Sequence, residues 1–319
     1  MKKVLILFGG NSYEHDISCK SVNYIKDNID TKLFDYEVVG ISKRNEWFIT
    51  NKNNHINENW IENTNNKINN IIDFIKKFDI VFPIIHGNTC EDGKLQGLFE
   101  LYNIKYIGCN SYSSLISYDK LLTKLILEEY NIPQVPYIIY NKQDIHNIEY
   151  PVIIKPCKCG SSIGISVANN KKELLKGIKL AKKYDNNILI EKYLINKREL
   201  ECAILEKKNK LIISDIGEIM NGDTWYDFDS KYKNKTETMI SNIDVNIKKD
   251  IQKYSKKIFE VLECKDMARI DFFYDIKNKK LYFNEINTIP GFTDISMYPK
   301  LINNLGINSK KLLTILLSA

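Results

Sequence analysis

The chain has 319 residues, of which 44% are hydrophobic and 27% are charged, a composition typical of a globular protein rather than a disordered or fibrous one. This length exceeds what one hydrophobic core usually serves, so we expect two or three subdomains that share a cleft. The net charge of +6 comes from dispersed lysines rather than from an arginine-rich stripe, which argues against a nucleic-acid partner.

The first third of the chain alternates short apolar strands with helices. Strands are predicted at residues 3–8, 35–42, 79–85 and 105–108, and helices around residues 18–28, 68–77 and 94–102. This alternation predicts a parallel sheet that is covered on both faces. Ligands of such sheets bind beyond the carboxyl ends of the strands, where three polar clusters fall, at residues 9–18, 86–93 and 108–111.

The rest of the chain predicts smaller α+β units. The middle third has a helix at residues 111–131, strands at 136–141, 151–156, 164–170 and 188–194, and a lysine-rich helix at 171–183. The last third has strands at residues 198–207 and 210–219, a polar segment at 221–237 and a helix at 245–262. ARIDFFYD and KLYFNEIN, joined by IKNKK, then predict a hairpin.

Three oxygen-bearing side chains, Asp271, Glu285 and Asn287, lie on this predicted hairpin. Residues two apart on a strand point to the same face, so Glu285 and Asn287 are directed at one place. Carboxylate and amide oxygens without His or Cys suit Mg²⁺ or Mn²⁺, whose coordination phosphate oxygens often complete. A satisfied polar network inside a sheet is the alternative interpretation.

Other polar residues give weaker signals. GSSIG, residues 160–164, could fold over phosphates, although a hairpin turn is the simpler explanation. Lys155 stands among Pro, Val and Ile, and a lysine in such a strand is seldom buried without an anion. His15 and His86 follow predicted strands and are candidate substrate donors, whereas His55 and His146 are expected in solvated loops.

Cysteines and aromatic residues are interpreted more simply. The seven cysteines are odd in number and form no CxxC pair, which argues against a disulfide framework and a zinc site. The apolar run at residues 3–8 stops at two glycines without a cleavage site, and no stretch is long enough to span a bilayer. We therefore expect a cytoplasmic protein with no membrane partner. Trp225, Tyr226 and Phe228 form either a binding box or a loop that packs its own aromatics.

Taken together and in order, these stretches resemble the D-alanine–D-alanine ligases of the ATP-grasp superfamily. LFGGNSYEHDIS is similar to the family's LFGGxSxEHxVS, HGNTCEDGKLQGLFE to HGxxGEDGxxQGLLE, and KPCKCGSSIGIS to KPxxxGSSxGxS. YDKLLTK, RELECAIL and YDFDSKY have counterparts too, and ARIDFFYD with LYFNEINTIPGFTDISMYPKL matches almost without gaps. The resemblance implies an ATP-grasp fold, with an N-terminal parallel α/β domain at residues 1–108 and two α+β ATP-grasp subdomains at 109–190 and 191–319.

The resemblance also implies a reaction. The family joins two D-alanines into D-alanyl-D-alanine with ATP, through an acyl phosphate, for peptidoglycan precursor synthesis. It implies two Mg²⁺ or Mn²⁺ ions and a homodimer. We expect the polar segment 221–237 to close over ATP.

Site residues are carried over by position. The residues implied to bind ATP are Lys120, Lys155, Glu191, Lys192, Tyr193, Leu194, Glu199 and Phe273. The implied metal ligands are Asp271, Glu285 and Asn287. Glu14 is implied to hold the ammonium of the first D-alanine, with Ser161 and Tyr232 linked to Glu14 by hydrogen bonds. His86 is implied to reach toward the first carboxylate and Lys231 toward the phosphate. Arg269 and the Gly291 backbone are implied to stabilise the tetrahedral oxyanion, and Ser296 to bind the second D-alanine.

Three alternatives stay open. The second substrate could be D-serine, whereas D-lactate is disfavoured because its ligases usually lack the tyrosine found at Tyr232. An ATP-grasp enzyme for unrelated acids and amines would fit the C-terminal part but not the N-terminal motifs. A catalytically silent nucleotide-binding protein would be expected to lack a metal ligand or a lysine, and none is missing.

Overall fold

Three β-sheets organise the chain. A computed structural model describes residues 1–140, 145, 147–220 and 237–318. Within these residues, a four-stranded sheet lies near the N-terminus, another four-stranded sheet lies in the middle of the chain, and a five-stranded sheet lies toward the C-terminus. The mixture of sheets and helices confirms the predicted α/β class.

The N-terminal sheet is parallel except at one edge. Its strands are β1 (Lys2–Gly9), β2 (Phe34–Ile41), β3 (Trp47–Thr50) and β4 (Ile80–Pro83), in the order β3-β2-β1-β4. β1 pairs in parallel with β2 and β4, but β3 pairs antiparallel with β2. The prediction of a wholly parallel sheet was therefore wrong at β3, a short strand that returns through a tight turn at residues 42–46. The strand predicted at 105–108 is also wrong, since it makes only an isolated bridge between Tyr106 and Val81.

Four helical segments cover this part of the chain. They are α1 (His15–Asn28), a 3-10 helix (Trp60–Asn63), α2 (Ile71–Ile75) and α3 (Lys94–Leu101). α2 is shorter than predicted because Asn70 caps it, its side chain accepting a hydrogen bond from the Asp73 amide. Among the described residues, no helix combines the length and apolar character needed to cross a membrane.

The single helix predicted at residues 111–131 is two helices, α4 (Ser111–Tyr118) and α5 (Lys120–Glu129). Asp119 separates them in an extended conformation and caps α5, its side chain accepting hydrogen bonds from the amides of Leu121 and Leu122. Aspartate favours such caps, which apolar periodicity alone does not reveal. The break places Lys120 at the start of α5, where its amide donates to the carbonyl of Cys157 at 3.0 Å.

The middle sheet is an antiparallel α+β unit, as predicted. It contains β5 (Tyr137–Ile139), β6 (Val152–Pro156), β7 (Ser166–Ala168) and β8 (Ile188–Lys192) in the order β5-β8-β6-β7, with α6 (Lys171–Ala181) packed on it. The glycine-rich stretch connects β6 to β7. The expected subdomain boundary after residue 190 falls within β8, and the subdomain limits stay a prediction.

The C-terminal sheet is antiparallel throughout. Its strands are β9 (Lys197–Lys207), β10 (Lys210–Met220), β11 (Glu237–Ile240), β12 (Met267–Asp275) and β13 (Lys280–Asn287), in the order β11-β10-β9-β12-β13. β12 and β13 form the predicted hairpin. Alternate residues such as Leu200, Ile270 and Phe272 pack in a core with α7 (Val245–Val261), so the residues between them face the other way.

The last two helices, α8 (Met297–Asn304) and α9 (Ser309–Leu317), join the N-terminal and C-terminal parts of the chain in one core. α8 packs against β9 and β10, where the Tyr298 hydroxyl donates to the Ile204 carbonyl, and α9 packs against α1. Tyr298 is fully buried, and Phe292 contacts Phe82 of β4 with ring centroids 5.9 Å apart. Residues 288–296 are therefore held between the N-terminal and C-terminal sheets. This arrangement brings side chains from both ends of the chain to one cleft.

Candidate active site

A cavity of about 730 Å³ lies between the middle and C-terminal sheets, within the size range of small-molecule sites. Its lining is strongly charged. It includes eleven of the residues carried over from the family: Lys120, Lys155, Ser161, Glu191, Lys192, Tyr193, Leu194, Glu199, Asp271, Phe273 and Glu285. The alternation along β9 and β12 explains why Glu199, Asp271 and Phe273 share the cleft face of the C-terminal sheet.

Three carboxylates form a row across neighbouring strands. Asp271 of β12 is paired in register with Glu201 of β9 on one side and with Glu285 of β13 on the other. A bulge in β13 beside Asp271 shifts the register, so the consecutive residues Asn284 and Glu285 both line the cavity. Bulges near functional sites often redirect a side chain in this way.

Arg269 binds this row. Its Nε lies 2.8 Å from Asp271 Oδ1 and 3.0 Å from Glu201 Oε2, and a terminal nitrogen donates to Asp271 Oδ2 at 2.7 Å. Burial alone would lower the pKa of Arg269, but the charges of Asp271 and Glu201 raise it well above the usual arginine value. The guanidinium is therefore a permanent cation held by a bidentate pair.

The donor set at the end of this hairpin fits a hard cation. Asp271 and Glu285 supply carboxylates, and the Asn287 amide donates to Asp271 Oδ2 at 3.1 Å, which places its oxygen in the same cluster. No group of three or more His, Cys, Asp or Glu side chains suited to a metal occurs in the described part of the chain. Two carboxylates and an amide suit Mg²⁺ when phosphate oxygens complete the coordination.

Lys120 reaches over the glycine-rich connection. Its ammonium donates to the carbonyl of Cys159 at 2.7 Å and lies 3.7 Å from Glu285 Oε2. In the same connection Ser161 has a positive φ of 51°, and its hydroxyl donates to the carboxylate of Glu14. The connection thus contacts Glu14 of the N-terminal part directly and is joined to Glu285 of β13 through Lys120, which a plain hairpin turn would not need to do.

Glu191 lies at the inner end of the cavity between two lysines. Lys155 Nζ is 2.7 Å from Glu191 Oε2, and Lys124 Nζ is 3.1 Å from Glu191 Oε1. Lys155 therefore has an anionic partner, as its apolar strand suggested. Near the cavity mouth, Lys197 lies 5.0 Å from the Phe273 ring centroid and 2.9 Å from a Glu199 oxygen.

His86 connects the N-terminal sheet to the loop after β13. Its Nδ1 lies 3.0 Å from the carbonyl oxygen of Ile289, and its Nε2 lies 2.9 Å from the Ser21 hydroxyl. Burial lowers the pKa of His86, so the ring is neutral, with Nδ1–H as donor. In that loop the Ser296 hydroxyl accepts a hydrogen bond from the Thr293 amide at 3.1 Å. The same hydroxyl lies so close to Gly291 that a Cβ atom added to this glycine would be 2.9 Å from it.

None of the histidines that the structure describes lines this cavity. His15 is buried, with Nδ1 2.8 Å from the Gly10 carbonyl oxygen and Nε2 accepting from Trp60 Nε1 at 3.1 Å. Both ring nitrogens are thus used inside the N-terminal part, which favours a structural role over substrate donation. His55 is exposed, as expected.

Several predicted residues lie outside the described ranges. They are Lys231 and Tyr232, the aromatics Trp225, Tyr226 and Phe228, and His146. The prediction that residues 221–237 close over ATP also concerns this part of the chain, and it stays a prediction.

Sequence reasoning missed four residues at this site: Glu91, Lys124, Glu201 and Asn284. Burial raises the pKa of Glu91 to about 8, with help from the charge of Glu14, and its carboxylate accepts from the Gly87 amide at 3.0 Å. Asn284 accepts from Lys155 Nζ at 3.3 Å. Lys124 could have been noticed as a charged residue on the apolar face of α5, and Glu201 as a carboxylate between the core residues Leu200 and Cys202, whereas the bulge at Asn284 leaves no such signal.

The chain is similar to known proteins over its whole length. The family models described as "D-ala D-ala ligase N-terminus" and "D-ala D-ala ligase C-terminus" match residues 3–109 and 126–318. A D-alanine–D-alanine ligase of Clostridium acetobutylicum is 39% identical over 331 residues, covering 98% of this chain and 96% of the relative.

Two solved structures have the same fold. The VanG D-Ala:D-Ser ligase of Enterococcus faecalis is 32% identical with a TM-score of 0.88, over 99% of this chain and 98% of that one. The D-alanine–D-alanine ligase of Bacillus anthracis complexed with ATP is 25% identical with a TM-score of 0.77, over 100% and 97%. The fold is therefore the ATP-grasp fold that the motifs predicted, and the chain belongs to the D-alanine–D-alanine ligase family.

Proposed function

We propose that this chain uses ATP to join two D-alanines into D-alanyl-D-alanine, through an acyl phosphate, for peptidoglycan precursor synthesis. The observation that carries the proposal is the cluster of Arg269, Asp271, Glu285 and Asn287 beside a cavity with lysines at both ends. Phosphoryl transfer depends chiefly on positioning and on neutralising charge, and this cluster supplies both. The curated relatives named D-alanine–D-alanine ligase support the same reaction.

ATP is proposed to occupy the cavity with its base at the Glu191 end. The backbone of residues 191–194 would bind adenine, Phe273 would pack on the ring and Glu199 would bind the ribose. Lys120 and Lys155 would meet the phosphates. Support comes from the shared position of all these residues in the lining, and from the ATP complex of the Bacillus anthracis relative.

Asp271, Glu285 and Asn287 are proposed to hold two Mg²⁺ or Mn²⁺ ions. When bound, these ions would neutralise charge on the transferred phosphoryl group. Lys120, 3.7 Å from Glu285, would orient the phosphates beside them. Because Asp271 already accepts two hydrogen bonds from Arg269, its carboxylate orientation is fixed before any ligand binds.

The D-alanine subsites are proposed at the junction of the three sheets. Glu14, hydrogen-bonded to Ser161, would hold the ammonium of the first D-alanine, and His86 would lie near its carboxylate. Tyr232 would join the hydrogen-bond network of Glu14, and Lys231 would reach toward the phosphate. After the carboxylate becomes an acyl phosphate, the amine of the second D-alanine would attack its carbon. Arg269 and the Gly291 amide would stabilise the resulting oxyanion, and phosphate would leave. Ser296, beside Gly291, would hold the second carboxylate.

D-Serine is a second candidate for the attacking substrate. The observation that favours it is the structural similarity to an Enterococcus faecalis D-Ala:D-Ser ligase, with a TM-score of 0.88. Competition between D-alanine and D-serine as the second substrate, measured at equal concentrations, decides between the two candidates.

A homodimer in the cytoplasm is proposed as the working form. The exposed apolar side chains on α3, α4 and α5 support an interface between two copies: Leu101, Tyr112, Leu115, Leu122 and Leu125. Apolar patches of this kind often mark protein contacts. Sedimentation at micromolar concentration tests the proposal, and a monomer at that concentration would refute it.

The reaction is tested by phosphate release from ATP and Mg²⁺ with D-alanine alone, with D-alanine plus D-serine, and with L-alanine, the products being identified by mass. We expect release with D-alanine alone, a D-alanyl-D-alanine product, and loss of both in Glu285→Ala. Release only when D-serine is present would favour the second candidate. Silence with every acceptor would refute the ligase proposal.

A further inference from the structure

Glu191 and its two lysines form a buried charged trio, defined here as Lys124, Lys155 and Glu191. Their side chains are 2%, 6% and 3% exposed, respectively. Each lysine approaches a different carboxylate oxygen, Lys124 at 3.1 Å and Lys155 at 2.7 Å. Buried ions of one sign are costly without partners, so two cations on one carboxylate call for an explanation.

The carboxylate is the fixed centre of the trio. Burial alone would raise the pKa of Glu191, but the charges of Lys155 and Lys124 lower it to about 2. Glu191 is thus an anion at any physiological pH. As a strand residue of β8 in register with Ile153 of β6 and Tyr137 of β5, its backbone is also fixed.

The two lysines have different surroundings. Lys155 lines the cavity, donates to Asn284 Oδ1 at 3.3 Å and lies 5.8 Å from the Phe273 ring centroid. Lys124 is on the buried side of α5 and lies 4.9 Å from the Tyr137 ring centroid. Among the described residues around the cavity, Lys155 and Glu191 contribute to the lining and Lys124 does not. Lys155 can therefore turn toward a ligand, whereas Lys124 is enclosed by protein.

We propose that Lys124 is a positioning residue. It neutralises Glu191, so that Lys155 can leave Glu191 and bind the phosphates of a nucleoside triphosphate. The inference rests on the proposed binding of ATP in this cavity. If Lys124 were absent, Lys155 would be the sole close cation of the buried Glu191 carboxylate. A phosphate could then bind Lys155 only by leaving Glu191 buried without a cationic partner. With Lys124 in place, Glu191 keeps one partner when Lys155 moves.

The test measures binding of a non-hydrolysable ATP analogue, with Mg²⁺ held constant, by calorimetry. We expect Lys124→Met to weaken triphosphate binding by about tenfold to a hundredfold, because the analogue now competes with Glu191 for Lys155. Binding of adenosine, which has no phosphate, should weaken much less. Lys124→Arg should restore most of the loss, and the exposed Lys172→Met on α6 should bind as the native protein does.

A double variant separates this role from simple packing. In Lys124→Met/Glu191→Gln the buried negative charge is gone, so Lys155 is free and triphosphate affinity should recover relative to Lys124→Met. If Lys124 only fills space, removing the charge of Glu191 should restore nothing, and the double variant should bind the triphosphate no more tightly than Lys124→Met. That result would overturn the inference.

The comparison also works if Lys124→Met does not fold. Glu191→Gln alone and Lys124→Met/Glu191→Gln should then bind the triphosphate equally, and a further tenfold loss in the double variant would overturn the inference. Because the readout is binding, it is independent of ligase activity. A native protein that binds the analogue but releases no phosphate with D-alanine would refute the proposed function and leave the role of Lys124 intact.

Discussion

Replacing Arg269 with lysine separates its charge from its geometry. Arg269 donates to both oxygens of Asp271, at 2.8 and 2.7 Å, and lies 3.0 Å from Glu201. Lysine keeps the positive charge but cannot reproduce a planar fork, so at least one charge-assisted hydrogen bond is lost. Such a bond contributes about 1.5–3 kcal/mol. At about 2.1 cal/mol/K of unfolding entropy per residue, a loss of about 2 kcal/mol corresponds to a fall in Tm of about 3 °C if all 319 residues unfold together.

In Arg269→Lys, the free-energy equivalent of the fall in kcat should exceed the loss of unfolding free energy. If the guanidinium also stabilises the oxyanion, removing it should lower kcat by about 10²–10³, the usual effect of deleting one such donor. We would measure Tm by calorimetry and kcat by phosphate release at saturating ATP and D-alanine. The reasoning would be refuted if the variant lost stability as predicted but kept native kcat, since Arg269 would then serve only the fold.

A matched control is available on the neighbouring strand. Arg198 forms a similar bidentate pair with Glu218, at 2.7 and 2.6 Å, and also donates to Ser241 at 2.9 Å. Arg198→Lys should lower Tm to a similar extent because the lost geometry is the same. Its kcat should stay close to native, since this pair joins β9, β10 and the residue after β11 rather than the catalytic hairpin. Equal losses of kcat in Arg269→Lys and Arg198→Lys would show that the reduced stability of the C-terminal sheet, and not a lost contact to the oxyanion, lowers kcat.

Three further predictions follow from the same contacts. Ser296→Ala should raise KM for the second D-alanine without changing KM for ATP, and equal effects on both in initial-rate measurements would contradict the assignment. Burial raises the pKa of Glu91 to about 8 from an unfolded value near 4.5, so the stability that this shift contributes is fully present below about pH 4.5 and is lost progressively as pH rises to about 8; Glu91→Gln should therefore flatten the fall of Tm between about pH 5 and 8, and an unchanged pH profile would refute this. Burial raises the pKa of Cys19 and Cys157 to about 12, so alkylation at pH 8 should be much slower in the native than in the denatured protein, as mass spectrometry can establish.

Strand periodicity predicted the hairpin of β12 and β13. ARIDFFYD and KLYFNEIN were expected to pair and to direct Glu285 and Asn287 to one place, because a residue spacing of two is a geometric property of any strand. The structure pairs the two strands and adds the register, with Asp271 opposite Glu285 and Arg269 opposite Asn287. That register did not follow from the pattern, and the role of Arg269 was implied only by the resemblance to the family.

Other features depend on contacts that no local pattern encodes. The break at Asp119 turns on a side-chain cap within an otherwise continuous apolar period, and β3 is a four-residue strand fixed by pairing with β2. The bulge at Asn284 arises from register between β12 and β13. The cap is a local contact that apolar periodicity does not show, whereas β3 and the bulge are decided by pairing between strands, which overrides single-segment propensity.

The break at Asp119 also shows how such a local irregularity serves the site. A continuous helix would carry the Lys120 amide into an internal hydrogen bond with the turn before it. Because Asp119 is extended instead, the Lys120 amide bonds the Cys157 carbonyl, and its ammonium bonds the Cys159 carbonyl two residues on. Lys120 thus binds two backbone carbonyl groups in the connection that follows β6. Four residues later on the same helix, Lys124 reaches Glu191, so the position of the cap sets the placement of two cations around one cavity.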